Sequence, residues 1–284
     1  MTDLGGNRYL SFLTDYGTLD GFVAICHGQM LRHAPHVRVI DITHEIAPGN
    51  VRRGATVLAE TLPELPPGGV HVGVVDPGVG TRRRSVAIAA GGHVLVGPDN
   101  GLLPWAADAL GGAEAVWELT NEDLWRRPVS ATFHGRDVYA PVAARIAAGL
   151  SPAETGERIP PESLVRLPPP RRSVTAGTAL GEVRAVDRFG NCQLSLRGDD
   201  MERLVPGGTP ATVEAALPCG VRELPVTTTF GAVPEGRPLL FVDSAGYAAL
   251  AVNGGDAAAV LGLTVGDHVT LRAGGRSRPG PRGV

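Results

Sequence analysis

The chain has no lysine, so all 26 of its lysine-plus-arginine residues are arginines, a bias that we attribute to base composition and not to function. Cysteine is scarce: Cys26, Cys192 and Cys219 are odd in number and lack CxxC spacing, which excludes a disulfide framework. We therefore expect buried, apolar thiols in a reducing cytoplasm. No apolar run reaches the roughly 18 residues of a membrane span, and no signal-peptide pattern opens the chain. The net charge of -3 leaves no broad basic face, which excludes a general nucleic-acid binder.

Short apolar runs alternate with helical spacing through the first half of the chain. Strands are predicted at Tyr9–Thr14, Val37–Ile42, His71–Val75, Ser85–Ala89 and His93–Val96, and helices at Phe22–His33, Val51–Leu62 and Gly135–Leu150. This alternation predicts an N-terminal α/β domain over residues 1–166 with a largely parallel sheet. Ligands of such sheets bind beyond the carboxyl ends of the strands, so polar residues at those ends are the candidates for a site.

Consecutive prolines in Leu167–Arg172 predict a linker over residues 167–176. Beyond it, short apolar runs separated by turns predict a small antiparallel β-barrel or sandwich over residues 177–275, interrupted by one short helix at Asp256–Leu261. The strands are expected at Gly181–Val186, Gln193–Leu196, Ala211–Ala216, Leu239–Val242, Ala248–Val252 and His268–Leu271. The composition of residues 276–284 predicts a disordered tail.

Two aspartates follow the first predicted strand, in the stretch TDYGTLDG that begins at Thr14. Asp15 stands at the carboxyl end of the strand and before a glycine turn, where it can accept two hydrogen bonds from the vicinal hydroxyls of a ribose. Asp20 directly precedes the first helix, where capping of that helix is a serious alternative. A metal site is the weaker interpretation, because no fixed spacing joins these aspartates to a histidine.

The stretch VVDPGVGTRRR places Asp76 at the end of an apolar strand, followed by a glycine-rich loop and by Arg82–Arg84. The loop lacks the Gly-Lys-Ser/Thr ending of a P-loop and the third glycine of a dinucleotide fingerprint. Such loops are often only turns and arginine runs are usually solvated, so this stretch alone does not decide between a site and a surface turn. The stretch TFHGRD holds His134 at a helix start, where a lone histidine is more often structural than catalytic and where Arg136 and Asp137 could form a helix-terminus ion pair.

Turn motifs in the second domain also carry candidate groups. The stretch VDRFGN is typical of a hairpin turn, yet its Phe189 and Asn191 supply the aromatic face and the side-chain amide that an adenine site uses. The stretch DSAGY contains Ser244, and NGGD contains Gly254. Both could bind a carboxylate or adenine through exposed backbone groups, or could merely turn the chain.

Taken in order, these motifs resemble the SAM hydroxide adenosyltransferase family, the hydrolase relatives of the fluorinase and chlorinase that use S-adenosyl-L-methionine (SAM). The matching stretches, from Phe12 to about Leu263, are FLTDYGTLDGFV, IDITHEI, VVDPGVGTRRRSVA, GPDNGLL, TFHGRDVYAP, VDRFGN, TTTF and NGG. The resemblance implies an α/β domain followed by a β-barrel domain. It also implies a homotrimer that holds SAM between one subunit's N-terminal domain and its neighbour's C-terminal domain, with adenosine and L-methionine as products.

The resemblance assigns roles to individual residues. The hydroxide-using branch of the family carries an Asp–Arg–His set around a water, and the matching residues are Asp76, Arg83 and His134, with Arg83 chosen among three arginines by its spacing from Asp76. The residues that match substrate contacts are Asp15 for the ribose, Asp20 and Asp187 for the methionine end, Ser244 for the carboxylate, and Phe189, Phe230, Asn191 and Gly254 for adenine. The chain departs from the halogenases at Ala245, where they carry an arginine for the methionine carboxylate.

This chemistry needs an activated water more than it needs an acid. SAM is a sulfonium, so methionine leaves as a neutral thioether, whereas neutral water attacks a primary carbon poorly. An in-line displacement needs a water oxygen about 3–3.5 Å from C5′, opposite sulfur and shielded from bulk solvent. Asp76 could accept a proton or orient the water, Arg83 could stabilise developing hydroxide, and His134 could position the water or relay its proton. We expect no metal and no organic cofactor.

Three other functions stay open at this point. The first is a SAM-dependent halogenase that makes 5′-halo-5′-deoxyadenosine, which Asp76 and His134 argue against. The second is a non-catalytic SAM- or adenosine-binding protein, which would need Asp15, Phe189 and Asn191 but not the acid–arginine–histidine set. The third is a metal-dependent hydrolase that uses the aspartates and histidines.

Overall fold

The computed structural model describes residues 9–206 and 211–274 of the 284-residue chain. Contacts within the chain divide it into two compact units, the first ending at Leu167 and the second beginning at Pro168. The tail predicted at residues 276–284 to be disordered lies outside the described residues. Within the two described ranges, no helix has both the length and the apolar character that crossing a membrane requires.

The N-terminal unit is built on a seven-stranded sheet. Its strands are β1 (Tyr9–Thr14), β2 (Arg38–Thr43), β3 (Val70–Val74), β4 (Ser85–Ala90), β5 (His93–Pro98), β6 (Ala115–Glu118) and β7 (Arg158–Ile159), in the order β2-β1-β3-β5-β4-β6-β7. The pairs β1–β2, β1–β3 and β3–β5 are parallel, and the other three pairs are antiparallel. The change of direction has a local cause, because Gly91 and Gly92 join β4 to β5 in a two-residue turn that permits only antiparallel pairing.

Helices cover both faces of this sheet, which confirms the predicted α/β class. They are α1 (Phe22–His33), α2 (Val51–Thr61), α3 (Pro104–Ala109) and α4 (Ala140–Ala147). Alternate residues of β1 face opposite ways: Phe12 packs in one core with α1 and α4, while Leu13 packs in the other with α2 and α3. The single helix predicted at Gly135–Leu150 instead begins with a π-helical turn, Gly135–Tyr139, and α4 continues from it.

The C-terminal unit is a closed seven-stranded β-barrel, so the barrel is confirmed over the sandwich. Its strands are β8 (Arg172–Thr175), β9 (Thr178–Val186), β10 (Cys192–Arg197), β11 (Ala211–Leu217), β12 (Gly220–Val226), β13 (Pro238–Val242), β14 (Tyr247–Val252) and β15 (His268–Ala273). Their order is β10-β14-β13-β12-β11-β15-β9, and pairing of β9 with β10 closes the ring, while β8 pairs with β9 alone. Closure leaves the ring without free edges.

Four expectations for this unit need correction. The described residues of the unit form two α-helices, α5 (Gly198–Leu204) and α6 (Ala257–Leu261), where the sequence predicted one. Strand β8 lies inside the predicted linker. Strand β12 was not predicted, because Pro225 interrupts its apolar pattern. Cys219 is exposed in the turn between β11 and β12, whereas Cys26 and Cys192 are buried as expected.

Candidate active site

Asp76 lies just beyond the carboxyl end of β3, on a loop that folds back on itself. The N–H of Val79 donates to the carbonyl of Asp76, and the N–H of Thr81 donates to the carbonyl of Gly78, both at 3.2 Å. Gly80 has a φ of +77°, and a Cβ at this position would collide with the carbonyl oxygen of Ala131. The glycine therefore lets the loop pack against the chain segment that leads to His134.

The same loop returns Arg83 to Asp76, and the two side chains form a buried ion pair. Arg83 Nε donates to both carboxylate oxygens of Asp76, at 2.8 and 3.0 Å, and Nη2 donates to Oδ2 as well. The side chain of Asp76 is 5% exposed and that of Arg83 is 10% exposed. Burial, the largest single influence, would lower the pKa of Arg83, but the hydrogen bonds and charge of Asp76 together with Tyr139 outweigh it and raise that pKa, so the guanidinium stays charged.

His134 completes the set through the other side of the same guanidinium. Arg83 Nη2 lies 2.8 Å from His134 Nδ1. A guanidinium can only donate, so Nδ1 must accept, and the imidazole is neutral with its proton on Nε2. Burial, followed by the positive charge of Arg83, lowers the pKa of His134 from its ordinary value. The structure thus joins all three residues that the family resemblance assigned to the water.

The hydrogen bonds of Arg83 leave little of it to face a ligand. Its Nε–H and both N–H groups of Nη2 serve Asp76 and His134, and Nη1 donates to Ser85 Oγ at 3.0 Å. Ser85 Oγ is 3.1 Å from the hydroxyl of Tyr139, whose ring also lies under the guanidinium. Burial raises the pKa of Tyr139, so its hydroxyl stays protonated. Sequence reasoning missed Ser85 and Tyr139, because each lies in a stretch whose apolar pattern already accounts for it.

Arg82 and Arg84, the two neighbours of Arg83 in the chain, have different surroundings. Arg82 is exposed. Arg84 donates through Nε to Asp99 Oδ2 at 2.9 Å and through Nη1 to Ser163 Oγ at 3.2 Å, and Asp99 also accepts the N–H of Val165. Arg84 and Asp99 therefore fasten the end of β5 to the segment around Ser163, and among the three arginines it is Arg83 that reaches Asp76.

Asp15 and Asp20, the two aspartates that follow β1, have different surroundings in the structure. Asp15 Oδ2 accepts the N–H of Gly49 at 2.8 Å, which turns this carboxylate toward the loop after β2. Asp20 is exposed and does not cap α1, since the N-cap of that helix is Gly21 and no side chain bonds to it. Asp15 therefore keeps its place at the carboxyl end of β1, beside the catalytic candidates in the sheet order, while the capping explanation for Asp20 is wrong.

Tyr16 is a further site residue that the sequence did not single out. Its hydroxyl points at Gly135, next to His134, so closely that a Cβ on Gly135 would overlap it. The rings of Tyr16 and Phe133 meet edge to face with centroids 5.7 Å apart. Burial raises the pKa of Tyr16 far above its ordinary value, with nearby Asp15 and Asp76 adding to the shift. The only signal in the sequence was its position directly after Asp15.

Arg136 and Asp137 have the structural role that the sequence allowed. Arg136 Nε is 2.6 Å from Asp137 Oδ1, and Arg126 and the N–H of Ser130 also bond to this fully buried carboxylate. These hydrogen bonds counter the effect of burial, and the pKa of Asp137 is lowered. The ion pair anchors the π-helical turn directly after His134.

In the C-terminal unit, Asp187 organises the VDRFGN turn. Its Oδ1 accepts the N–H groups of Phe189 and Asn191, at 2.8 and 2.9 Å, and its Oδ2 accepts from Asn191 Nδ2 at 2.8 Å. The turn needs Gly190, whose φ is +82° and where a Cβ would collide with Asp256. Phe189 is 76% exposed above this turn. An aromatic face and the oxygen of an ordered side-chain amide are thus presented together.

The remaining candidates lie on neighbouring turns. Phe230 is 45% exposed and packs against Phe241. Asn253 Nδ2 donates to the carbonyl of Val233, which ties the Phe230 segment to the turn that contains Gly254. Ser244 is exposed in a turn that Asp243 holds by accepting the N–H groups of Ala245 and Tyr247, both at 2.9 Å.

Two arginines lie near the Ser244 turn, although the turn itself has Ala245 in place of an arginine. The guanidinium carbons of Arg184 and Arg197 lie 3.9 and 3.8 Å from the centroid of the Tyr247 ring. Arg184 also donates to Gln193 Oε1, and Gln193 in turn donates to Asp243. Arg197 is exposed.

A cavity of about 430 Å³ lies away from the Asp76 set, along β2 and α2. Its lining includes Ile40, Asp41, Glu45 and Arg53. Among the described residues, the grouping of side chains that could jointly hold a metal ion is His27, Asp41 and His44, which does not overlap with Asp76, Arg83 and His134.

Comparison with known proteins finds relatives that match nearly the whole chain. Residues 10–156 match the SAM hydroxide adenosyltransferase N-terminal domain, and residues 181–270 match the C-terminal domain of the same name. A Salinispora tropica protein named (R)-S-adenosyl-L-methionine hydrolase is 52% identical over 94% of this chain and 98% of its own length. A fluorinase of Actinoplanes sp. is 30% identical, with 94% and 98% covered. The crystal structure of an uncharacterized conserved protein from Thermotoga maritima is 35% identical with a TM-score of 0.88, covering 93% of this chain and 99% of that one. The chain therefore belongs to the SAM hydroxide adenosyltransferase family.

Proposed function

We propose that this chain hydrolyses S-adenosyl-L-methionine at the bond between the ribose C5′ and the sulfonium sulfur, releasing adenosine and L-methionine. The observation that carries the proposal is the Asp76–Arg83–His134 set, in which a buried carboxylate is fixed beside a neutral imidazole. The hydrolase name of the Salinispora tropica relative supports the same substrate.

The reaction is a single displacement. The oxygen of a water attacks C5′ from the side opposite sulfur, the C5′–S bond breaks, and its electron pair stays on sulfur as the neutral thioether of methionine. The water loses one proton and its oxygen becomes the 5′ hydroxyl of adenosine. Asp76 Oδ1 keeps a lone pair beyond the one it shares with Arg83 Nε, so it can accept a hydrogen bond and then the proton from that water.

Arg83 acts in this mechanism mainly as a positioning residue. Its N–H groups are directed to Asp76, His134 and Ser85, so it fixes the acceptor and the imidazole in one geometry. His134, with Nδ1 occupied, offers Nε2–H as a donor that can hold the water oxygen in line. General-base help is worth about 10²–10⁴-fold, and orientation contributes a comparable or larger factor.

The charge balance of the set favours water over a halide. Asp76 carries one negative charge and Arg83 one positive charge, while His134 is neutral. The pair therefore leaves no net positive charge to offset an incoming chloride or fluoride, and the lone pairs of Asp76 that Arg83 does not use repel an anion. A neutral water pays no such electrostatic penalty.

The remaining candidates are assigned to the two ends of the substrate. Asp15 accepts hydrogen bonds from the ribose hydroxyls, Phe189 and Phe230 flank adenine, and Asn191 and the backbone of Gly254 bind its edge. Asp20 and Asp187 contact the methionine end, and of the two it is Asp187 that binds the ammonium.

We assign the methionine carboxylate to the N–H and hydroxyl groups of the Ser244 turn, with Arg197 as the cation. Arg197 is exposed and stacks on Tyr247 beside that turn, where it can take the place of the arginine that Ala245 lacks.

The proposal extends to a cytoplasmic homotrimer whose sites form between neighbouring subunits. Its support is the distribution of the candidates along the chain. The water-handling residues all precede Leu167, and the adenine candidates all follow Pro168. Phe189 and Phe230 also leave large apolar surfaces exposed within their own unit, which a bound base and a neighbouring domain would cover.

The decisive experiment labels the water. Purified protein is incubated with SAM in ¹⁸O-water containing chloride, and the adenosyl product is identified by mass spectrometry. We expect adenosine with ¹⁸O at the 5′ position. Unlabelled adenosine or 5′-chloro-5′-deoxyadenosine would overturn the hydrolase proposal, and binding of SAM without turnover would favour a non-catalytic binding protein.

The (R) and (S) epimers at sulfur are assayed separately, and the name of the relative leads us to expect faster cleavage of the (R) epimer.

A further inference from the structure

Outside the Asp76 set, the N-terminal unit holds a second cluster of groups with lone pairs. His27 comes from α1, Asp41 from β2, and His44 follows β2 directly, and their ligand atoms all lie within 4.8 Å of one another. His27 Nε2 is 2.8 Å and His44 Nε2 is 3.0 Å from the same atom, Asp41 Oδ1. We propose that these three residues bind a divalent transition-metal ion, with Zn²⁺ as the best fit.

The state of His44 distinguishes a metal site from a hydrogen-bonded His–Asp–His cluster. His44 is 5% exposed, and its Nε2 has no hydrogen-bond partner in the described part of the chain. Asp41 Oδ1 is near enough, but the two atoms are not aligned for a hydrogen bond. Nδ1 of the same ring is 2.9 Å from Thr14 Oγ1. When Nδ1–H donates to Thr14, Nε2 keeps a buried lone pair that accepts no hydrogen bond, and a cation bound to Nε2 and to Asp41 Oδ1 would give that lone pair a partner.

The surroundings also suit a bound ion. Metal-bound histidines usually donate their second ring nitrogen to an oxygen, as His44 can to Thr14, and this fixes the ring. The ring of Phe12 packs against both imidazoles, with centroids 5.0 Å from His44 and 6.0 Å from His27, which limits their rotation. The side chains of His27 and Asp41 are 28% and 43% exposed, so an ion can enter from solvent.

The ligand set favours zinc. Two imidazoles and one carboxylate, with a fourth position open to water, are a common zinc environment. Ligands about 2.1 Å from a tetrahedral zinc lie about 3.4 Å apart, so small side-chain shifts would admit the ion between Asp41 Oδ1 and the two ring nitrogens.

An ion here would act on the turn that carries Asp15. The carbonyl oxygen of His44 accepts the N–H of Gly17 at 2.8 Å, and the ring of His44 contacts Thr14, so His44 holds the residues on both sides of Asp15. We infer that the ion stiffens this turn and does not take part in bond breaking. That consequence rests on the proposed function, whereas binding of the ion does not.

The test uses the full chain, with any affinity tag removed and with prior chelator treatment and dialysis. Zn²⁺ is titrated by calorimetry, and Co²⁺ is added separately to detect the visible absorption of a low-coordinate site. We expect one ion per chain. His27→Ala and Asp41→Asn, which change partly exposed side chains, should each weaken Zn²⁺ binding more than tenfold. His36→Ala removes an exposed histidine outside the cluster and should bind as the wild type does.

Thermal unfolding supplies a second measurement and a check on folding. Zn²⁺ should raise the unfolding midpoint of the wild type and of His36→Ala, but not of the two cluster variants. Absence of a stoichiometric site in the wild type, or wild-type affinity in both cluster variants, would overturn the inference. A protein that binds zinc here but leaves SAM intact would refute only the proposed function, and a hydrolase that binds no zinc would refute only the metal site.

Discussion

His134 is held in its neutral form by its neighbours, and that state fixes the pH range of the site. Burial and the charge of Arg83 lower its pKa below the ordinary 6.5, so the neutral ring persists as the pH falls through 6.5. A second proton would remove the acceptor at Nδ1 and repel Arg83. We expect kcat/KM to stay level down to pH 6.5 and to decline below it.

The ring can be titrated directly by NMR, with His134→Gln used to assign its signals. A midpoint below 6.5 is expected. A midpoint at or above 6.5 would contradict the donation from Arg83 to Nδ1, because a ring protonated at that pH would carry protons on both nitrogens.

Substitutions should separate the handling of water from the binding of SAM. Asp76→Ala and His134→Ala should slow single-turnover cleavage at least tenfold and largely spare SAM affinity, because both groups act on the water. Asp15→Ala should instead weaken SAM binding by about 1.5–3 kcal/mol, the range for hydrogen bonds to a charged group. Calorimetry measures the affinity. Asp108→Ala, which breaks an exposed ion pair with Arg166, serves as the control and should change neither quantity. The reverse pattern would exchange the roles of Asp15 and Asp76.

At the scale of elements, the glycine loop after β3 holds the site together. Gly80 and Gly92 have nearly the same backbone conformation, with φ of +77° and +78°, but a Cβ on Gly92 would meet no atom within 4 Å. Gly92→Ala should therefore lower the free energy of unfolding by about 1–2 kcal/mol through backbone strain alone. Gly80→Ala adds the collision with Ala131, so it should destabilise more and should also slow SAM cleavage by moving Arg83 away from His134. Equal kinetics for the two variants would show that this loop does not set the geometry.

The elements that the sequence predicted best are those with an unbroken pattern. The structure places β1 and α1 at Tyr9–Thr14 and Phe22–His33, the predicted bounds, because a fully buried strand and a helix between two turns leave clear signals. Strand β8 falls inside the predicted linker, since its polar residues pair with β9 alone. The π-helical start of the segment after His134 depends on packing by Asp137 and Tyr16, which no periodicity records.

The residues of the candidate site also fall into those that the sequence pointed to and those that it did not. Asp76, Asp15 and His134 became candidates because they occupy strand and helix ends within distinctive motifs, and the family resemblance assigned their roles. The sequence could not show that most N–H groups of Arg83 donate to other side chains, because these hydrogen bonds depend on how the loop folds back. Tyr16, Ser85 and Tyr139 were missed for a related reason, since their roles come from contacts between separate elements.

At the scale of the whole molecule, the candidates for one SAM site divide between two units of the chain. The family resemblance places them on neighbouring subunits of a trimer, and subunit complementation tests that assignment. His134→Ala removes a water-handling residue from the first unit, and Asn191→Ala removes an adenine contact from the second. We expect each variant alone to be nearly inactive, and co-expression of the two to restore activity.

The size of the recovery is itself diagnostic. In randomly mixed trimers with sites shared between subunits, about a quarter of the sites would pair an intact His134 with an intact Asn191 from the neighbour. With both residues supplied by one chain, no mixed trimer would contain an intact site. Co-expression is preferable to mixing, because it does not depend on subunit exchange, and gel filtration must show that each variant is folded and trimeric. Mixed trimers without recovered activity would place the site within a single subunit, and monomeric wild-type protein would refute the shared site outright.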